Sequence, residues 1–204
     1  MDNPMVDYAK INKETLSNHF NVRDEFKDNT VAENVAICNR QQLPFSVGCI
    51  NITGDLNIGM MLRSACLFGA ENFYIFGRKK FDKRSTVGAE NYINIVQYVF
   101  DDPIHADQDI ALKLAEVEMK MRHNIVLCET GGMELKRNTI WISNTDSDRT
   151  PLFLFGSESH GIPDAVSKMF ANKISIPQRG VMRSFNVSAA MNIICWDYIK
   201  EIHL

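Results

Sequence analysis

With 204 residues, 45% of them apolar and 23% charged, the chain is long enough to bury a full core and has the composition of an ordinary soluble globular protein. No run approaches the roughly 20 apolar residues of a membrane span, and the opening MDNPMVDYAKINKE has no apolar signal core. The expectation is a soluble cytoplasmic protein, and a net charge of −3 gives no whole-chain case for nucleic-acid binding.

Residues 1–44 are polar and read as an extension, with one candidate helix over 31–39, ahead of a domain over 45–204. FSVGCINI (45–52) is a buried-strand candidate. Residues 57–68 form a helix with Ile58, Met61, Leu62 and Ala65 on one side. Arg63 interrupts that apolar helix. It is a snorkelling side chain or a functional one, and Asn57 and Gly59 tilt the choice toward function, since glycine near a helix start permits close backbone approach.

A strand over 72–76 ends at Gly77. Arg78, Lys79, Lys80, Lys83 and Arg84 then place five cations in seven residues, opposed only by Asp82. Alone they read as a solvated loop; beside a nucleic-acid site they would neutralise phosphates. Strands over 93–100 and 124–128 flank a helix over 109–122, in which Ile110, Leu114, Val117 and Met121 recur at spacings of four, three and four. Thr130-Gly131-Gly132 follows. A strand over 152–155 runs into GSESHGIP, and one over 173–176 runs into PQRGVMRSFNVS. The final helix, 186–202, is apolar nearly all round, so both of its sides are expected to be covered.

Strands separated by helices indicate an α/β fold, a mostly parallel sheet with helices on both faces, and ligands then bind at the carboxyl ends of strands. The polar loops ETGG, GSES and PQRG fall there. Ser184, Asn186 and Ser188 crowd a helix start behind Arg179 and Arg183, where free backbone N–H groups and a partial positive field favour a ligand. Glu158, just past a strand end, is ligand-orienting, or part of a helix cap with Ser157 or Ser159.

Neither GxGxxG nor GxxxxGK[ST] occurs, which argues against a Rossmann dinucleotide site and a P-loop. No G-x-S-x-G elbow supports the rival of a hydrolase using Ser157 or Ser159. The five cysteines (38, 49, 66, 128, 195) have no CxxC spacing and read as free thiols. The five histidines (19, 105, 123, 160, 203) are scattered, so no structural metal is expected.

In order, NITGDLNIGMMLRSACLFGA (51–70), LFLFGSESHGIP (152–163) and ISIPQRGVMRSFNVSAAM (174–191) resemble the three motifs of the SpoU (TrmH-like) branch of the SPOUT RNA methyltransferases. The resemblance implies an α/β domain with a deep C-terminal trefoil knot, an S-adenosylmethionine pocket formed by that knot, and a homodimer with the active site near the subunit interface. It implies methyl transfer to a ribose 2′-hydroxyl of RNA. Catalytic roles carry over to Arg63, Glu158, Ser184 and Asn186. The cofactor positions are Cys128, Glu129, Thr130, Gly131, Gly156, Ile176, Gln178, Ser184 and Phe185. Asn57, the basic run Arg78–Arg84, Arg179 and Arg183 would hold RNA. Ser159 stands where the family usually has Gly and Phe185 where it has Leu; both alter pocket shape and leave the catalytic residue types intact. IPQRGVMRSFNV with a downstream W-x-Y is similar to the tRNA enzymes acting on a D-loop guanosine, ahead of rRNA enzymes. A non-catalytic RNA-binding protein on the same fold is the other reading.

Overall fold

Thr30 starts the first helix for a local reason. Its hydroxyl accepts the Glu33 N–H at 3.3 Å while the Glu33 carboxylate accepts the Thr30 N–H at 2.7 Å, a reciprocal capping box. The helix that follows, α1, spans Val31–Arg40. The computed structural model describes residues 13–50, 52–100, 105–136 and 148–203. From residue 13 the polar extension is folded against the domain. The buried Asn34 amide donates to Ser17 Oγ at 2.8 Å and to the Phe26 carbonyl at 2.9 Å, and the Tyr92 hydroxyl donates to Ser17 Oγ at 3.2 Å.

The other elements are β1 (Leu43–Ile50), α2 (Asp55–Leu67), β2 (Ala70–Phe76), α3 (Lys83–Thr86), β3 (Asn94–Tyr98), α4 (Ala106–Met121), β4 (His123–Glu134), β5 (Thr150–Phe155), α5 (Asp164–Met169), β6 (Lys173–Ser175) and α6 (Val187–His203). The six strands form one sheet in the order β3-β2-β1-β5-β4-β6, every pair parallel. Such a sheet is buried on both sides, so its strands are nearly continuous apolar runs.

Alternation along the strands sorts the core into two layers. Phe45, Val47, Phe73, Ile75, Phe153 and Phe155 pack with α2 and α6; Tyr74, Phe76, Ile125, Leu127, Leu152 and Leu154 pack with α4 and α5. Tyr198 pins α6 to the sheet, its ring centroid 5.7 Å from Phe45 and 5.3 Å from Phe153.

The α/β class, the parallel sheet and the helices on both faces are as the sequence predicts. Several details differ. β4 runs far past Cys128: it bulges over residues 129–132 and pairs again with β6 at Met133 and Glu134. Gly132 permits that return, because a Cβ there would lie 2.7 Å from the Lys173 carbonyl carbon. Within one chain the last helix is covered on its sheet side: Met191, Ile194, Cys195 and Tyr198 are buried, while Ile193 and Trp196 are 38% and 51% exposed. The expected trefoil knot concerns a threading path that includes residues 137–147, which lie outside the described residues. Among the described residues no helix is long and apolar enough to cross a membrane.

Candidate active site

A cavity of about 550 Å³ opens at the carboxyl ends of β4, β5 and β6 and the start of α6. Three segments wall it: the end of β4, the turn after β5, and the loop from β6 to α6. The middle one is a rigid turn. Ser157 and Gly161 exchange backbone hydrogen bonds of 3.1 and 2.9 Å, and Gly161 adopts φ +69°, which favours glycine. Gly156 is also obligatory, since a Cβ there would lie 2.1 Å from the Gly161 carbonyl carbon. The turn leaves Glu158, Ser159 and His160 exposed. The Glu129 carboxylate crosses from β4 and accepts the Ile162 N–H at 3.0 Å through Oε1, bracing it from behind.

Asn57 joins the three motifs. Its Nδ2 donates to Glu158 Oε1 at 2.6 Å, and its Oδ1 accepts from Asn186 Nδ2 at 3.1 Å. Asn186 Oδ1 in turn accepts the N–H groups of Ser188 at 3.0 Å and Ala189 at 3.3 Å, capping α6. Residues 101 and 129 positions away from Asn57 in the sequence therefore meet at one amide. A Cβ at Gly54 would come 3.2 Å from Asn57 Nδ2, close enough that the amide would have to shift by a few tenths of an ångström.

Most of the expected site residues converge here. Cys128, Glu129, Thr130, Gly156, Ile176, Gln178, Ser184 and Phe185 line the cavity with Glu158, Asn186 and Arg183; Gly131 and Arg179 do not. Arg63 does not line it either. Arg63 is exposed further along α2, within a stripe of Leu56, Met60 and Leu67, which are 52%, 48% and 77% exposed.

The basic run is docked beside the site. The Asp82 N–H donates to the Asp55 carbonyl at 3.1 Å, and a Cβ at Gly59 would come 2.8 Å from the Asp82 carbonyl oxygen, so only glycine allows so close an approach. Arg78 and Lys79 line a second cavity of about 420 Å³, while Lys80, Lys83 and Arg84 are exposed, the last paired with Asp82 at 2.5 Å.

Two cysteine thiols stand near the cavity. Burial, and then the Glu158 charge, holds Cys49 far above its ordinary value; burial, and then Cys195, does the same for Cys128. Neither supplies a thiolate nucleophile at neutral pH. His160, which was not among the expected site residues, also lines the cavity; its signal in the sequence is its place in FGSESHGIP, two residues after Glu158, since no histidine spacing marks it.

Comparison with known proteins completes the description. The model of the SpoU rRNA Methylase family matches residues 44–196. A Mycoplasma genitalium protein named as a tRNA (cytidine(34)-2'-O)-methyltransferase is 30% identical over 80 residues, which cover 32% of this chain and 48% of that protein. The chain therefore spans about half the length of that relative. The A. aeolicus TrmH/SpoU tRNA modifying enzyme superposes with a TM-score of 0.60 at 19% identity, over 84% of this chain and 81% of that one. The AdoMet-bound rRNA methyltransferase from Sinorhizobium meliloti superposes at 0.58 and 19% identity, over 83% of this chain and 61% of that one. At these identities the likeness to the two structures is one of fold.

Proposed function

The chain belongs to the SpoU rRNA methylase family, and from that membership we propose that it transfers a methyl group from S-adenosylmethionine to a ribose 2′-hydroxyl of RNA, acting on tRNA in the cytoplasm. The observation that carries this reading is the Asn57–Glu158–Asn186 network at the rim of the cavity. It ties the three motif segments into one hydrogen-bonded unit, as positioning catalysis requires.

The cavity suits the cofactor. Its volume of about 550 Å³ lies within the usual range of ligand sites. Glu129 keeps one carboxylate oxygen on the Ile162 N–H; the other, without a partner among the described residues, would accept from a ribose hydroxyl. Cys128, Ile176 and Ala190 supply apolar wall for an adenine ring, and the chain around Gln178 and Ser184 supplies polar groups. When bound, S-adenosylmethionine supplies a methyl on a positively charged sulfur, a good leaving group that needs no metal. The chain's own residues must then align the acceptor. Glu158 and Asn57 orient it by hydrogen bonds, and Arg183 with the docked basic run engages the phosphates.

Arg63 enters this reading through a second copy of the chain. Leu56, Met60, Leu67, Ile193 and Trp196 leave a contiguous apolar face on the adjacent helices α2 and α6. We propose that this face is the homodimer contact and that Arg63, in its midst, serves the partner's pocket, gripping phosphate and polarising the hydroxyl. A Trp196→Glu variant that stays monomeric in sedimentation and loses methyl transfer supports this; a native chain that sediments as a monomer and is fully active refutes it.

The test of the whole reading is to incubate the chain with labelled S-adenosylmethionine and bulk tRNA or rRNA, then map methylated riboses by mass spectrometry. Methylation of tRNA is expected. A D-loop guanosine is the target suggested by the motif-three segment, and position 34 is the one in the name of the Mycoplasma genitalium relative; the map decides between them. Methylation of rRNA alone would favour the rRNA alternative, and binding of RNA without any transfer would favour a non-catalytic role.

A further inference from the structure

We propose that His160 receives the proton of the acceptor hydroxyl, an inference that rests on the ribose-methylation reading above. A ribose hydroxyl is a weak acid, and alkylation of its oxygen releases a proton. A guanidinium such as that of Arg63 stays protonated to above about pH 12, so it can stabilise developing charge but is a poor acceptor. Glu158 has Oε1 engaged by the Asn57 amide, and Glu129 has Oε1 engaged by the Ile162 N–H. His160 is the one histidine among the described residues that line the cavity. Imidazole is the side chain whose ordinary titration lies nearest neutrality.

The structure holds this ring in place. The His160 N–H donates to Ser157 Oγ at 3.2 Å, within the turn already closed between Ser157 and Gly161. Its Nδ1 lies 2.7 Å from Ser159 Oγ, and Nε2 has no partner among the described residues. With Nδ1–H donating to the serine oxygen, the lone pair sits on Nε2, the atom left for a substrate. Proton transfer to Nε2 requires this tautomer, in which the Ser159 hydroxyl, able to donate as well as to accept, takes the Nδ1–H bond and so acts as a positioning residue. The charged groups sharing the cavity with the ring are Glu158 on its own turn, Glu129 from β4 and Arg183 from the loop before α6.

The step balances. The hydroxyl oxygen gains the methyl carbon as the carbon–sulfur bond breaks, the electron pair stays on sulfur, and the proton passes to Nε2. The ring is exposed, so the proton then leaves to solvent.

Single-turnover transfer to bulk tRNA, measured across about pH 5 to 9 with the native chain, His160→Gln and Ser159→Ala, tests this. The native rate should rise through the imidazole range and level off. His160→Gln should be slower by roughly 10²-fold or more and lose that inflection, with S-adenosylmethionine and tRNA affinities by calorimetry unchanged. In the ligand-free chain, ¹⁵N shifts of the His160 ring should report the Nδ1–H tautomer, and Ser159→Ala should convert it to a mixture while slowing transfer less than His160→Gln. An active native chain with a His160→Gln variant of native rate and pH profile overturns the proposal alone. A native chain that methylates neither tRNA nor rRNA overturns the functional reading, and this inference with it.

Discussion

Two hydrogen-bonded clusters with histidines stand at opposite ends of the sheet. At the amino ends of β4 and β5, His123 is 1% exposed and lies between the Tyr74 hydroxyl at 3.2 Å and Thr150 Oγ1 at 3.0 Å, with the Tyr74 ring edge-on at 5.7 Å. Both ring nitrogens are used, and burial holds the imidazole below its ordinary pKa. At the carboxyl ends, Asn57, Glu158 and Asn186 are linked in the same manner, but Glu158, Asn186 and the nearby His160 are exposed to a cavity of about 550 Å³. The first cluster satisfies its polar groups inwardly, which is what a buried network must do. Among the described residues the second leaves an imidazole nitrogen and a carboxylate edge without protein partners, as expected of groups that act on something else.

The sharpest way to break this contrast is to remove side chains from the open end. Glu158→Ala should lower methyl transfer by at least about 10²-fold while leaving the thermal midpoint near native; Arg63→Ala, outside the cavity of its own chain, should do the same through the proposed dimer. A large fall in the midpoint would mean that the open cluster is structural like the closed one. Gly156→Ala should act on both counts. The new methyl would meet the Gly161 backbone at 2.1 Å, and overpacking of this kind costs about 1–3 kcal/mol, which urea unfolding would register together with lost turnover. Unchanged stability would show that the turn can yield.

The closed end should affect only stability, and the pH-dependent part of its contribution should appear only in acid. His123 is neutral in the folded chain because burial lowers its pKa from the ordinary 6.5. An unfolded chain binds that proton more readily, so the contribution is complete above about pH 6.5 and is lost as pH falls toward the lowered folded value. His123→Gln should flatten this part of the acid limb in urea midpoints without altering transfer at neutral pH. A variant whose acid limb matches the native one would remove His123 as its source.

Much of this architecture was legible in the sequence because a doubly covered parallel sheet writes itself as apolar runs. The strands at 72–76 and 152–155 emerged within about two residues of their observed ends. α3 and α5 did not emerge, since Lys83–Thr86 and Asp164–Met169 are too short to show a helical period. The extent of β4 was hidden because Thr130-Gly131-Gly132 carries the composition of a strand end, and only the return to β6 reveals a bulge. Convergence of loops could be read from polar residues after each strand. The bond between Asn57 and Glu158 could not, because nothing local links residues 101 apart. Arg63 was expected to face the acceptor at a site near the subunit interface; within one chain it lies on the outer stripe of α2, where periodicity could have placed it, alongside Leu56, Met60 and Leu67.

Ile174 faces β4 twice, paired with Cys128 and again with Met133. Between those contacts the chain is a closed hoop, bolted down where Ser175 Oγ donates to the Gly132 carbonyl at 2.9 Å and the Leu135 N–H donates to the Ser175 carbonyl at 2.9 Å. A molecule gripped by Glu129 and Thr130 would therefore tighten the outermost strand as well as its own seat. Slower deuterium uptake should then reach the Leu135 amide, beyond the hoop and outside the cavity wall.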